Sequence, residues 1–377
     1  MGVKMDGNIE RVEVVVIGGG QAGLAVGYHL ARTRRSFVIL DTNERVGDAW
    51  RKRWDSLRVF SPARLDGLPG RPFPVSGWYF PTKDEIADYL EDYAAHFDLP
   101  VRKGVRVTRV SKPDQRFIVE SAHGWFEADH VVIASGHEHT PSVPGFARDL
   151  DPRINQLHSS EYRRPSQLTG PTLVVGAGNS GAEIALDLSR THPTLLSGQL
   201  RRMPVGPSRS PLMTALIWPI VSHVLTIDTP MGRRVRSKML HAKAPVERIT
   251  EKALAAAGVE RVARAIGVRD GSPLLEDGRV IDVANVVWCT GYRSALEWID
   301  LPIFDEEGDP KQIRGVVEGA PGLYFVGRFF QYAFTSLLIG GVGRDADYIA
   351  KQIEAGATSR DRSHSSDVGR VSRSTPA

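Results

Sequence analysis

The sequence predicts an α/β protein that contains two parallel-sheet units of one design, and three observations predict it. A β-branched strand runs into a glycine-rich turn and then an amphipathic helix. The pattern occurs twice. Each copy is closed, after nearly the same interval, by a further apolar strand that ends in glycine. In the first copy Val14-Val15-Val16-Ile17 reads as a buried strand, Gly18-Gly19-Gly20-Gln21-Ala22-Gly23 as the turn and residues 24–32 as the helix. In the second, Leu173-Val174-Val175 leads into Gly176-Ala177-Gly178-Asn179-Ser180-Gly181 and a helical stretch over 182–189. The closing strands are His130-Val131-Val132-Ile133, before Ala134-Ser135-Gly136, and Asn285-Val286-Val287-Trp288, before Cys289-Thr290-Gly291.

The spacing Gly-x-Gly-x-x-Gly between strand and helix has a mechanical meaning. The first glycine permits the tight turn, the second admits a pyrophosphate to the backbone, and the third lets the helix pack on the strand. The helix start then offers free N–H groups and the positive end of its dipole to the phosphates. One such turn can be merely structural, but two copies in the same context read as two Rossmann-like dinucleotide-binding units. The units differ at the end of their second strands. Phe37-Val38-Ile39-Leu40 ends on Asp41, about 20 residues past the glycines, where a carboxylate accepts hydrogen bonds from an unphosphorylated adenosine ribose. Thr194-Leu195-Leu196-Ser197 carries no acid, and Arg201 and Arg202 follow. Such a pair suits a 2′-phosphate and favours NADPH over NADH.

Composition narrows the function class. The 48 basic and 44 acidic residues leave a net charge of +4. No basic motif with interleaved aromatics accompanies it, so no nucleic-acid partner is expected. The single cysteine, Cys289, excludes an internal disulfide and a Cys-x-x-Cys redox pair. The first apolar run is too short for a secretory signal, which makes a cytoplasmic location the expectation. The apolar stretch 212–227 contains Pro219 and His223 and is shorter than the roughly 20 residues of a membrane span.

The segments between the strands carry a family resemblance. Gly47-Asp48-Ala49-Trp50 through Trp54-Asp55-Ser56-Leu57, Trp78-Tyr79-Phe80-Pro81-Thr82-Lys83-Asp84-Glu85, His158-Ser159-Ser160-Glu161-Tyr162 and Gly322-Leu323-Tyr324-Phe325-Val326-Gly327 occur in that order. With Gly178-Asn179-Ser180-Gly181 they resemble the flavin-containing monooxygenases and their YUCCA-type relatives. The resemblance runs from about Val12 to about Ile353.

It implies that 1–163 and 296–355 form an FAD-binding domain, with an NAD(P)H-binding domain, 164–295, inserted between the two parts. Gly18, Gly20, Gln21, Ala22, Gly23, Asp41 and Val107 would serve FAD, with Gly47, Trp50 and Gly327 along its flavin end. Ala134, Ser135, Gly136 and Gly291 would lie where the chain crosses between domains. Gly176, Gly178, Asn179, Ser180, Gly181, Ser197, Arg201 and Arg202 would serve NADPH, Asn179 and Ser180 otherwise being helix caps. The implied chemistry is reduction of FAD by NADPH, addition of O2 at flavin C4a to give a (hydro)peroxyflavin, and transfer of one oxygen atom to a small-molecule substrate. No side chain is then needed as nucleophile or base, and none is assigned as catalytic. No metal is expected, and a homodimer is the oligomer to test.

The chain departs from the family pattern at two places. Pro152 and Ile154 stand where the fingerprint before His158 has an aromatic and a glycine, and Arg58-Val59-Phe60-Ser61-Pro62 lacks the asparagine that precedes proline in typical members. A reductase or oxidase that oxygenates nothing therefore stands as the alternative, with a non-catalytic flavin-binding protein behind it. The stretch 207–245, apolar then basic, reads either as a channel lid or membrane-surface helix or as a packed insertion. Residues 356–377, rich in Ser, Arg, Asp and Gly, read as a disordered tail.

Overall fold

Short β-branched runs set the sheets, because a strand buried on both faces needs apolar side chains at every position. The computed structural model describes residues 9–75, 77–137, 140–200, 211–240 and 248–368. In chain order the elements are β1 (Ile9–Ile17), α1 (Gln21–Ala31), β2 (Phe37–Leu40), α2 (Asp48–Arg51), α3 (Lys83–His96), β3 (Val101–Arg102), β4 (Val107–Ser111), β5 (Phe117–Ser121) and β6 (Gly124–Ile133). The chain continues through β7 (Thr140–Pro141), β8 (Asn155–His158), β9 (Thr172–Val175), α4 (Asn179–Leu188), β10 (Thr194–Ser197), α5 (Pro211–Pro219), α6 (Pro230–Leu240) and α7 (Glu251–Ala256). There follow β11 (Glu260–Val262), β12 (Ala265–Arg269), β13 (Ser272–Leu275), β14 (Asn285–Trp288), β15 (Tyr292–Arg293), β16 (Gln312–Ile313), β17 (Val316–Val317), β18 (Leu323–Phe325) and α8 (Ile339–Val368).

Nine strands form the first sheet, in the order β16-β17-β18-β6-β1-β2-β3 with β5 also paired to β6 and β4 to β5, and five form the second, β11-β10-β9-β14-β8. The parallel run β18-β6-β1-β2-β3 of one sheet repeats in the other as β8-β14-β9-β10-β11. The duplication read in the sequence is therefore a duplication of strand order. Alternation along β1 sends Val14 and Val16 to the face covered by α1, α3 and α8, and Val15 and Ile17 to the face with Val119, Val131 and Ile299. In the second sheet Val174 and Val287 pack under α4, while Leu173, Val175 and Val286 face Leu275.

Two expectations change. Strand β8 falls inside the segment assigned above to the first domain, yet it pairs with β14 in the second sheet. The crossing lies earlier, where β7 and β15 form an antiparallel ladder. Helix α8 runs to Val368, past the Ala355 at which the tail was read to begin, because extending a packed helix is far easier than starting one. Of that tail, 369–377 lie outside the described residues. Of the two readings of 207–245, the described part follows the packed insertion, and it packs on the first unit: Thr226 bridges to Ala333, and Ile227 N–H donates to Tyr332 O at 2.9 Å. Among the described residues no helix is long and apolar enough to cross a membrane.

Candidate functional site

The two glycine turns are alike in detail. Gly18 closes β1 with φ +110°, and Gly176 closes β9 with φ +106°. A Cβ on Gly18 would overlap the carbonyl of Ala134, and one on Gly176 that of Cys289, so each first glycine is dictated by its own closing strand. A Cβ on Gly23 or Gly181 would overlap the carbonyl of the first glycine in its own turn, which keeps helix and strand in contact. Gly20 and Gly178 differ from these: nothing lies within 4 Å of a Cβ built on either. Both are helix N-caps, and neither has a side-chain cap. The first N–H groups of α1 and α4 consequently have no partner within their helices. Asn179 and Ser180 open α4 and do not cap it.

Around the first turn, Asp41 Oδ2 accepts from Gly19 N at 2.6 Å and Oδ1 from Asn43 N at 2.7 Å, which locks the strand end to the turn. Gln21 donates from Nε2 to Leu337 O at 2.9 Å and accepts from Trp50 Nε1 at 3.3 Å, joining α1, α2 and the approach to α8. Ala22 is buried, and a Cβ on Gly327 would press on it at 2.8 Å. Gly47 is left-handed at φ +89° and lies against Ala87 of α3. The side chain of Val107 packs into the apolar face of the sheet, and Val105 meets the end of β2, donating its N–H to Asp41 O at 2.8 Å.

The second turn has a different strand end. Ser197 is buried and its hydroxyl is occupied, donating to Ala263 O at 2.9 Å and accepting from Ala265 N at 2.8 Å. Strand register pairs Ser197 with Val175 as Leu40 pairs with Ile17, and so puts Gly198 in the place of Asp41. Arg201 and Arg202 lie outside the described residues. Arg261 on β11 was not read from the sequence; its guanidinium donates to Gly198 O.

Between the units, Trp54 and Leu57 insert beside Tyr162, Val174 and Ala182, and Asp55 N–H donates to Arg163 O at 2.7 Å. Tyr162 donates to the buried Asp187 at 2.8 Å. His158 bonds Gly291 O through Nε2 at 3.1 Å, with Ser160 N on Nδ1 at 3.2 Å, which selects the Nε2–H tautomer. Burial lowers its pKa, so it is a neutral brace on the crossing. Gly136 and Gly291, the ends of the two closing motifs, are left-handed, with nothing within 4 Å of a built Cβ. Ser135 stands between Gly136 and the buried Ala134.

Acids shielded from water also escaped the sequence reading, Asp66 and Glu183 among them. Asp66 has no exposed surface; Ser61 Oγ donates to its Oδ1 at 2.5 Å, and Oδ2 has no hydrogen-bond partner among the described residues. Burial raises its pKa to about 7. Glu183 on α4 is likewise raised to about 7 by burial, against the pull of Arg248 at 3.3 Å. Arg248 in turn lies over the Phe80 ring of the first unit. Cys289 is packed on Gly181, and burial pushes its thiol up, so it is no nucleophile. No group of three or more potential metal-binding side chains occurs among the described residues.

Residues 15–200 match the family model described as pyridine nucleotide-disulphide oxidoreductase. The chain is 39% identical to the uncharacterized oxidoreductase CzcO-like of Geobacillus kaustophilus, over 91% of this chain and 98% of that one. It is 29% identical to the probable indole-3-pyruvate monooxygenase YUCCA7 of Arabidopsis thaliana, over 90% of this chain and 86% of the relative. The flavin-containing monooxygenase of Stenotrophomonas maltophilia shares its architecture at TM-score 0.74 and 28% identity, over 92% of this chain and 99% of that one. The chain belongs to the flavin-containing monooxygenase family. A flavin-containing monooxygenase is an oxidoreductase that uses a flavin and a nicotinamide cofactor. The residues present fit such groups: Gly20, Gly136, Gly178 and Gly291 leave open space where any other residue would place a side chain.

Proposed function

We propose that this flavin-containing monooxygenase holds FAD on the first glycine turn and NADPH on the second, and inserts one atom of O2 into a small organic substrate. The observation that carries the reading is the matched pair of turns, each with a second glycine open on its outer side and a helix N-terminus behind it. Gly18, Gly20 and Gly23 would take the FAD pyrophosphate and Asp41 its ribose, while Gly176, Gly178 and Gly181 take that of NADPH. Reduced FAD, when bound, supplies the oxygen-activating chemistry. The chain's own residues bind, orient and exclude water. Trp54, Leu57 and Tyr162 seal the contact between the units, and His158 braces the crossing so that donor and acceptor keep one alignment.

A second reading, an oxidase or reductase that oxygenates nothing, is favoured by one observation. Where typical members carry asparagine before the proline, Ser61 donates its hydroxyl hydrogen bond to Asp66 Oδ1. The deciding experiment is anaerobic reduction of the yellow protein with NADPH, followed by mixing with 18O2 in the presence of ketone, sulfide, amine and aromatic 2-oxo acid panels; the last is chosen because the Arabidopsis relative is a probable indole-3-pyruvate monooxygenase. Label in one product supports the monooxygenase. Full reoxidation with hydrogen peroxide as the sole product overturns it.

A further inference from the structure

We infer that Arg261, a residue outside both glycine motifs, selects the 2′-phosphate of NADPH in the second unit. The inference rests on reading that turn as the nicotinamide-dinucleotide site, and it deepens that reading.

The internal duplication supplies the register. Ile17 pairs with Leu40 at the end of β1, and Val175 pairs with Ser197 at the end of β9, so the residues that follow, Asp41 and Gly198, are equivalent. In the first unit this place holds a fixed carboxylate, which would repel a phosphate on the ribose beside it. In the second it holds a glycine with φ +114°, whose built Cβ would lie 3.4 Å from Ala177 N. The strand end is therefore stripped of acid and lies against the turn itself.

Arg261 takes up the space this opens. It sits opposite Leu196 in the parallel pairing of β10 and β11, the position that Val101 holds opposite Ile39 in the first unit. Its Nη2 donates to Gly198 O, while Nε and Nη1 are buried with no hydrogen-bond partner among the described residues. Glu251, mostly exposed, lies 3.9 Å from Nη1. The buried hydroxyl of Ser197 ties Ala263 and Ala265 to β10, which holds the chain after Arg261 in place. A guanidinium kept beside an acid-free strand end, with N–H groups unspent, suits a phosphate monoester dianion, to which it can bond through two donors.

The test is calorimetric titration of the flavin-loaded protein with 2′,5′-ADP and with 5′-AMP. Arg261→Gln is expected to weaken 2′,5′-ADP at least about tenfold and to leave 5′-AMP unchanged. Arg261→Lys should fall between, which separates loss of the guanidinium from misfolding. Glu251→Gln, on the surface, should tighten 2′,5′-ADP roughly twofold. Unchanged 2′,5′-ADP affinity in Arg261→Gln, with the loss appearing instead in Arg201→Ala or Arg202→Ala, overturns the assignment and leaves the proposed function standing. Binding of 2′,5′-ADP that follows Arg261 in a protein whose flavin NADPH never bleaches does the reverse.

Discussion

Gly20 and Gly23 lie three residues apart, yet their substitution should fail differently. A methyl on Gly23 collides with the Gly18 carbonyl and must push α1 off β1, so Gly23→Ala is expected to cost more than about 2 kcal/mol in urea unfolding. On Gly20 the methyl enters open space. Gly20→Ala should keep stability within about 1 kcal/mol and instead lose flavin on gel filtration. The pair Gly181→Ala and Gly178→Ala should split in the same way, with NADPH bleaching as the functional readout. Asp66 makes a prediction of another kind. Its folded pKa, about 7, lies above the ordinary 3.8, so the stability it contributes is complete below that ordinary value and is lost as pH rises through 7. The unfolding midpoint should fall across this window. Asp66→Asn, which still accepts from Ser61 without titrating, should flatten the fall; equal slopes for variant and wild type would refute it.

At the scale of elements, α3 shows a local rule at work. Thr82 caps its start, accepting from Glu85 N at 3.3 Å while Glu85 reaches back to Thr82 N at 2.8 Å. Thr82→Ala should cost about 1 kcal/mol in the same denaturation assay. Strands β1, β2, β6, β9 and β14 could be read in advance because burial on both faces leaves them few residue types. Strand β8, Asn155-Gln156-Leu157-His158, could not: it joins a sheet edge through its backbone and carries no apolar run. The same division governs the site. Glycines at fixed spacing between a strand and a helix were legible. Arg261 and Asp66 were not, because their meaning depends on residues brought to them only by folding: Gly198 on the adjacent strand for one, an apolar enclosure for the other. The match of Thr194–Ser197 to Phe37–Leu40 was legible too, and strand pairing adds that the residue in the place of Asp41 is Gly198.

For the whole molecule, the junction between the units is where alignment is decided. His158→Ala removes the bond to Gly291 O and the edge contact with Tyr292, whose ring centroid lies 4.9 Å from that of His158. Flavin content should be unchanged, while the rate of anaerobic reduction by NADPH falls roughly tenfold; an unchanged rate would show that the crossing needs no brace. The junction has another property. Both passages of the chain run through one short ladder, Thr140–Pro141 against Tyr292–Arg293, so residues 142–291 leave and return at the same point. A segment whose two ends are neighbours can be cut out and replaced without rethreading its host. The second unit is thus built as a cassette, and exchanging it between relatives at this ladder should transfer nicotinamide preference intact, whereas a cut at 163 would leave β8 behind and deliver a sheet without its edge.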